Sequence, residues 1–284
     1  MQLKKKLQTA TKKEEKFSSL EVTYEEEYAL AWYRMNAKPR PCFTIDLLDD
    51  IQTFFNKITM EHNHKALDYI VMGSSIPGSF NLGGDLKLFN NLIQTNNRKK
   101  LLEYALACIK PLHQIHTGLN KGITTISLVQ GDALGGGFEV AVSSDALIVE
   151  KSAKLGMPEI LFNLFPGMGA ISFLSRKIGI VAAEKMILSG KLYSAEEIYN
   201  MGLIDVLAED GKGEQAVYNY IKKENKTRNG FQAFRKAKKY CDPVTYDELE
   251  KITNIWVDAA LQLGNKDLRM MERLVKRQSA KVNQ

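Results

Sequence analysis

The sequence predicts an α/β fold whose last third is helical, on three observations. Two apolar, strand-like runs, LDYIVMGSS and ITTISLVQG, each lead into a glycine-rich loop, FNLGGD and DALGGG. Each loop then gives way to a helical pattern, so strand, loop and helix occur twice in order. Beyond about residue 212 the composition shifts toward Lys, Arg and helical periodicity. The expected division is a basic, flexible tail over 1–18, a core over 19–210 and a helical region over 211–284.

Along the chain, MQLKKKLQTATKKEEKF is basic, and no apolar stretch of the signal-peptide kind follows it. LEVTY and ALAWY read as strands, and KPRPCF as a helix-hostile turn, because each proline restricts the residue before it. A helix follows, with Leu47, Leu48, Ile51, Phe54, Phe55 and Ile58 at helical spacing, Thr44 as its cap and Asp46 in its first turn. After the first glycine loop one long helix is expected through LIQTNNRKKLLEYALACIKPLHQIH. ALIVE is a further short strand, and MPEILFNLFPGMGAISFLSRKIG is an apolar, proline-interrupted loop that enters another helix. Ser194 with Glu197 forms a capping-box pattern, and Thr245 with Glu248 a second one. The second opens a helix presenting Leu249, Ile252, Trp256, Ala259, Ala260 and Leu263 on one face, with Gly264 as its stop.

At 284 residues the chain is long enough to bury a substantial core, and 44% hydrophobic with 25% charged residues is an ordinary soluble composition. No uncharged stretch is longer than that from Ile160 to Ser175, which contains Asn163 and Pro166 and falls short of the ~20 apolar residues of a spanning helix. Cys42, Cys108 and Cys241 lie far apart without CxxC spacing, which fits a reducing cytoplasm rather than a disulfide framework or zinc knuckle. His62 and His64 form an HxH pair and His113 and His116 an i, i+3 pair, but no further ligands stand at metal spacing, so surface histidines and no metal are expected. The formal charge of +6 favours an acidic partner without choosing among nucleic acid, membrane surface and acidic protein.

DALGGG contains neither GxGxxG nor GxxxxGK[ST], so a phosphate cradle fails. One remaining reading is a tight turn in which glycine supplies unusual dihedrals and Glu139 complements the helix N-terminus. The other starts from isolation: Glu139 is the only ionisable residue between Asp132 and Asp145, and it lies in FEVAV, which has no polar face. Glu159 is likewise alone between Lys154 and Arg176. A buried, unpaired carboxylate is costly or takes up a proton, and a Glu poised near neutrality suits acid–base chemistry. Two of them suggest a pair converging on one pocket in different protonation states. Glycine N–H groups, with no side chain in the way, can then hold a negatively charged oxygen, and FNLGGD offers a second donor unless it is an ordinary turn capped by Asp85.

Taken together, FNLGGDL, VQGDALGGGFEVAVSSDALIV, LGMPEILFNLFPGMGA and LSGKLYSAEEIYNMGLID resemble the crotonase (enoyl-CoA hydratase) superfamily in order and spacing, over roughly residues 20–210. The resemblance implies a crotonase-like spiral ββα superhelix core and a C-terminal helical trimerisation region. It implies oxyanion-hole N–H groups at Gly84 and Gly136 and catalytic carboxylates at Glu139 and Glu159, whose joint presence points to hydration or dehydration. KPRPCFT, LGGDLKLF and MPEILFNLFPGMGAISFL look like the diffusible-signal-factor synthases of the RpfF type. For such an enzyme the substrate is a 3-hydroxyacyl thioester on acyl carrier protein, dehydrated to a cis-2-enoyl chain and released by hydrolysis as a free fatty acid for quorum sensing. A membrane sensor kinase partner and a homotrimer or hexamer follow from the same resemblance, with no cofactor and no nucleic acid. Leu82 departs from it, standing where the wider superfamily has a small residue.

An acyl tail needs an apolar pocket, for which Trp256, Met271 and Leu274 are candidates, helix-packing core being the other reading. The basic run from Lys222 to Lys239, KKENKTR and RKAKK, is a candidate dock for an acidic carrier protein or else a solvated helix face. The competing functions are an enoyl-CoA hydratase of fatty-acid degradation and a noncatalytic acyl-binding or regulatory protein.

Overall fold

The computed structural model describes residues 13–60 and 67–280. The chain opens with strands Lys13–Lys16 (β1), Leu20–Glu25 (β2) and Leu30–Met35 (β3), then helix Ile45–Met60 (α1). From there it winds in repeated turns. Strand Tyr69–Ser74 (β4) leads to the short strand Ser79–Asn81 (β5) and helices Leu86–Gln94 (α2) and Arg98–Thr117 (α3). Thr124–Val129 (β6) leads to Asp132–Leu134 (β7) and helix Gly136–Ser143 (α4). Ala146–Glu150 (β8) leads to Lys154–Gly156 (β9), a 3₁₀ turn Pro158–Phe162, and helices Ala170–Ile178 (α5) and Ile180–Ser189 (α6). Long strands join a seven-stranded sheet, β1-β2-β3-β4-β6-β8-β11, and short ones a four-stranded sheet, β10-β9-β7-β5, completed by Leu192–Ser194 (β10) and Val206–Ala208 (β11). Pairings from β3 to β11 are parallel, as are β5–β7 and β7–β9, so each ββα turn stacks on the one before. The fold is therefore an α/β spiral of ββα turns.

Sequence alternation explains the layering. In β3, β4, β6 and β8 alternate residues point to opposite faces, and both faces are covered. Tyr33, Ile70, Met72, Leu147 and Val149 belong to the large core beneath α1 and α3. Trp32, Tyr69, Val71, Ile126 and Ile148 face the other way and pack on Val217 and Ile221. Thr44 caps α1 through the Leu47 N–H at 3.2 Å, and Ser194 and Glu197 form a complete capping box on Ala195–Asn200 (α7).

Several elements differ from the sequence reading. Lys13–Lys16 lies within the expected tail yet pairs antiparallel with β2, because the β2 edge offers it free backbone groups. The long helix after the first glycine loop is two helices: Asn96 takes φ 49°, and Asn97 caps α3 by accepting from the Lys100 N–H. Thr245 accepts from the Glu248 N–H, but Glu248 does not reciprocate; its carboxylate is taken by a bidentate contact with Arg176 at 2.8 Å. Gly264, expected as a stop, follows the end of helix Tyr246–Ala260 and initiates the next, its N–H donating to Asp267. His62 and His64 lie outside the described residues.

The C-terminal region is helical: Gly213–Asn225 (α8), Arg228–Cys241 (α9), Tyr246–Ala260 (α10) and Asn265–Ala280 (α11). Glu224, 1% exposed, accepts two bonds from Arg235 at 2.7 Å and one from Thr124 of β6 at 2.9 Å. Tyr220 accepts from the same guanidinium at 3.0 Å, so one ion pair fixes α8 and α9 on the sheet. Removing one partner of a buried pair leaves the other charge uncompensated. Glu224→Ala is expected to destabilise by about 3–5 kcal/mol. Lys236→Ala, on the exposed side of α9, is expected to stay within about 0.5 kcal/mol; urea unfolding midpoints of the two variants make the check.

Candidate active site

The first glycine loop is braced from behind by KPRPCF. Leu82 N–H donates to the Pro41 carbonyl at 2.7 Å, Phe43 N–H to the Gly83 carbonyl at 2.8 Å, and Arg40 pairs with Asp85 at 2.7 Å. Asp85 also caps α2 through the Lys87 and Leu88 N–H groups. The Gly83 carbonyl and the Asp85 N–H both face the Phe43 side, where Tyr104 Oη receives the latter at 3.0 Å. The Gly83 carbonyl and the Gly84 N–H belong to one trans peptide and point in opposite directions, so the Gly84 N–H is turned away from Phe43. Both Gly83 and Gly84 line a cavity there of about 260 Å³.

The second loop reaches the same cavity. Gly136 is the first residue of α4, where helix geometry leaves the N–H without an intrahelical acceptor. The two loops touch: the Gly84 nitrogen lies 3.6 Å from where a Cβ on Gly136 would stand. Glycine is required beside it, because a Cβ on Gly137 would come within 2.0 Å of the Asn81 carbonyl oxygen. On Gly135, whose φ is +52°, a Cβ would meet Glu159 Oε1 at 2.3 Å.

All eight residues of α4 are buried, Glu139 among them at 1% exposure. Its carboxylate does not complement its own helix. Oε1 accepts from Met168 N–H at 2.8 Å and Ala170 N–H at 2.9 Å, at the N-terminus of α5, where Gly169 takes φ 126° to turn the chain. Burial raises the Glu139 pKa out of the ordinary carboxylate range toward neutrality, and the Ala170, Met168 and Gly169 amides oppose that rise. Glu159, in the 3₁₀ turn, is half-buried, and its Oε2 is buried without a hydrogen-bond partner. Burial raises its pKa first, and the nearby Glu139 charge raises it further. Glu139 therefore has the amides of a neighbouring turn to favour its anion, whereas Glu159 has only its own amide, and the nearby Glu139 charge favours its neutral form.

Both carboxylates, Gly84 and Gly136 line this one cavity. Its wall is otherwise mostly apolar, with Leu86, Phe89, Ala105, Cys108 and Phe162 beside Tyr104 and Asp132, and burial pushes the Cys108 thiol up to about 12. Trp256 and Leu274 line it; Trp256 also packs against Phe89, the rings tilted with centroids 5.0 Å apart. Met271 does not. It is fully buried on α11, one turn before Leu274, and packs into the core. Leu82, the departure from the superfamily pattern, also lines the cavity. His113 and His116 are not surface residues but half-buried, edge-on to Tyr246 and Phe173, and burial lowers the His116 pKa to about 4. Among the described residues no cluster of three or more metal-ligating side chains occurs. In the basic run, Arg228, Arg235 and Lys239 are engaged by Asp68, Glu224 and Asp145, while Lys222, Lys223, Lys226, Lys236 and Lys238 are exposed. Sequence reading did not single out Tyr104, nor the Met168 and Ala170 amides; nothing in the periodicity of α3 marks a hydroxyl that reaches across to another loop.

Residues 25–269 match the family model for enoyl-CoA hydratase/isomerase, and the chain belongs to that family. Among curated proteins it is 28% identical to the probable mitochondrial enoyl-CoA hydratase 2 of Arabidopsis thaliana, over 69% of this chain and 62% of that one. It is also 28% identical to the fatty acid oxidation complex subunit alpha of Pseudomonas syringae, over 68% of this chain and 27% of that one. The chain thus spans less than two thirds of the length of these relatives. An enoyl-CoA hydratase structure from Bacillus halodurans shares the fold at a TM-score of 0.75 and 21% identity, over 90% of this chain and all of that one. No helix among the described residues is long and apolar enough to cross a membrane.

The raised carboxylates have a consequence for stability. Between the pKa of an unfolded Glu and the raised native value, the native state keeps a proton that the unfolded chain has lost, so stability falls as pH rises. Thermal melts of the wild type between about pH 5 and pH 8.5 are expected to show that decline. Glu159→Gln, neutral throughout, is expected to flatten the profile and to melt higher than wild type at the alkaline end.

Proposed function

We propose that the cavity adds or removes water across the C2–C3 bond of an acyl thioester, and that the physiological direction is dehydration of a 3-hydroxyacyl chain. The observation that carries this reading is the meeting of Glu139 and Glu159, in unlike surroundings, with the Gly84 and Gly136 amides in one apolar cavity. The thioester carbonyl accepts from the two amides, which stabilise the enolate oxygen. In hydration, ionised Glu139 takes a proton from water, the hydroxide adds to C3, and neutral Glu159 delivers its proton to C2. Dehydration is the reverse and starts from the form with the proton on Glu139: ionised Glu159 takes the C2 proton, the C2=C3 bond forms, the C3–O bond breaks, and neutral Glu139 protonates the departing hydroxide as water.

Within this chemistry we favour a diffusible-signal-factor synthase acting on an acyl carrier protein thioester. After elimination, a water activated by a carboxylate attacks C1 of the cis-2-enoyl chain, the tetrahedral oxyanion uses the same amides, the C–S bond breaks, and the carrier thiol and free acid leave. The resemblance of KPRPCFT, LGGDLKLF and MPEILFNLFPGMGAISFL to the RpfF-type synthases supports this reading, and the exposed lysines of α8 and α9 supply positive charge for an acidic carrier. A second reading, an enoyl-CoA hydratase of fatty-acid oxidation, is favoured by the names of the curated relatives.

Incubation with 3-hydroxyacyl carrier protein and, separately, 3-hydroxyacyl-CoA separates the two by mass spectrometry. Free 2-enoic acid from the carrier substrate is the expected product; an enoyl-CoA in equilibrium with its hydrate, and no free acid from either substrate, would select the second reading. Glu139→Gln and Glu159→Gln are each expected to slow water elimination by ~10²–10⁴. A folded variant that turns over at the wild-type rate would remove its residue from the mechanism.

A further inference from the structure

Gly84 donates usefully only if its N–H is held in one direction, and its own loop does not suffice, since Gly83 beside it takes φ +91° and is conformationally permissive. The residues on either side are anchored from outside. Gly83 gives its carbonyl to Phe43 N–H at 2.8 Å, and Asp85 gives its N–H to Tyr104 Oη at 3.0 Å. The same hydroxyl donates to the Phe43 carbonyl, so one buried side chain from α3 closes the contact between the Gly84 loop and KPRPCF. Tyr104 also lines the cavity and meets Phe89 edge-on at 5.3 Å; the Phe89 ring lies 2.6 Å from where a Gly84 Cβ would stand. The hydroxyl thus fixes the amide direction while the ring faces the acyl space.

We propose that Tyr104 is a positioning residue that aims the Gly84 N–H at the thioester carbonyl, with its ring against the acyl chain, so that chain and carbonyl are held by one side chain. This rests on the reading of Gly84 as a carbonyl donor. The chemistry requires no proton from Tyr104: its hydroxyl is both donor and acceptor and stays so throughout.

The test uses an unreactive saturated acyl amide analogue of the thioester, carbon-13 labelled at the carbonyl, whose stretching band moves to lower wavenumber when it accepts hydrogen bonds. Wild type is expected to lower the band on binding. Tyr104→Phe is expected to lose at least about half of that displacement and to cut kcat about 10- to 100-fold, with KM within about threefold and an unchanged pH profile. Phe89→Leu, which keeps the hydroxyl but removes the ring beneath Gly84, is expected to raise KM and keep the band displacement. Full displacement with wild-type kcat in Tyr104→Phe overturns the proposal, and so does equal loss in Phe89→Leu, which would assign the effect to packing. A wild type whose carbonyl band does not move overturns the donor reading of Gly84 itself, and the proposal with it.

Discussion

A carboxylate at 1% exposure must find donors or hold a proton, and the contact of Glu139 with the Met168–Ala170 turn is where this chain resolves that demand. The amides belong to the start of α5, so the contact also fixes the approach of the third ββα turn to the second. That approach carries Glu159 over Gly135 and leaves its Oε2 buried and unpartnered. The two acids thus differ because one accepts from the amides of a neighbouring turn and the other has only its own, a difference made by backbone placement rather than by residue type.

The site is divided among successive turns of the spiral. Gly84 comes from the loop after β5, Gly136 and Glu139 from the loop and helix after β7, and Glu159 from the turn after β9. Three short parallel strands, β5, β7 and β9, bring these loops side by side, which is why strands of three residues matter here more than their length suggests. A second tier holds the first glycine loop from behind through Pro41, Phe43, Arg40 and Tyr104. The shared family fold supplies the spiral; the aim of each polar group is set by such local contacts.

Much of this was legible in the sequence where chemistry and periodicity coincide. Glu139 and Glu159 stood out because each is alone in an apolar run, and the long strands and α1 announced themselves by spacing. The short strands did not, since three residues carry no period to read. The break at Asn97 depends on a left-handed Asn96, and the failed second box depends on Arg176, 72 positions before Glu248, competing for its carboxylate. Met271 and Leu274 lie three residues apart on one helix, and only the packing of α11 decides that the second reaches the cavity and the first the core.

The parallel order of the sheet gives the site a history as well as a geometry. β4, β6 and β8 become neighbours only by closing long loops over their helices, which is slow compared with winding any one helix. In an unfolded chain both glutamates are solvated, without the burial that raises them in the native structure. The raised proton affinity of the two acids is thus a property of the assembled spiral and of neither segment by itself.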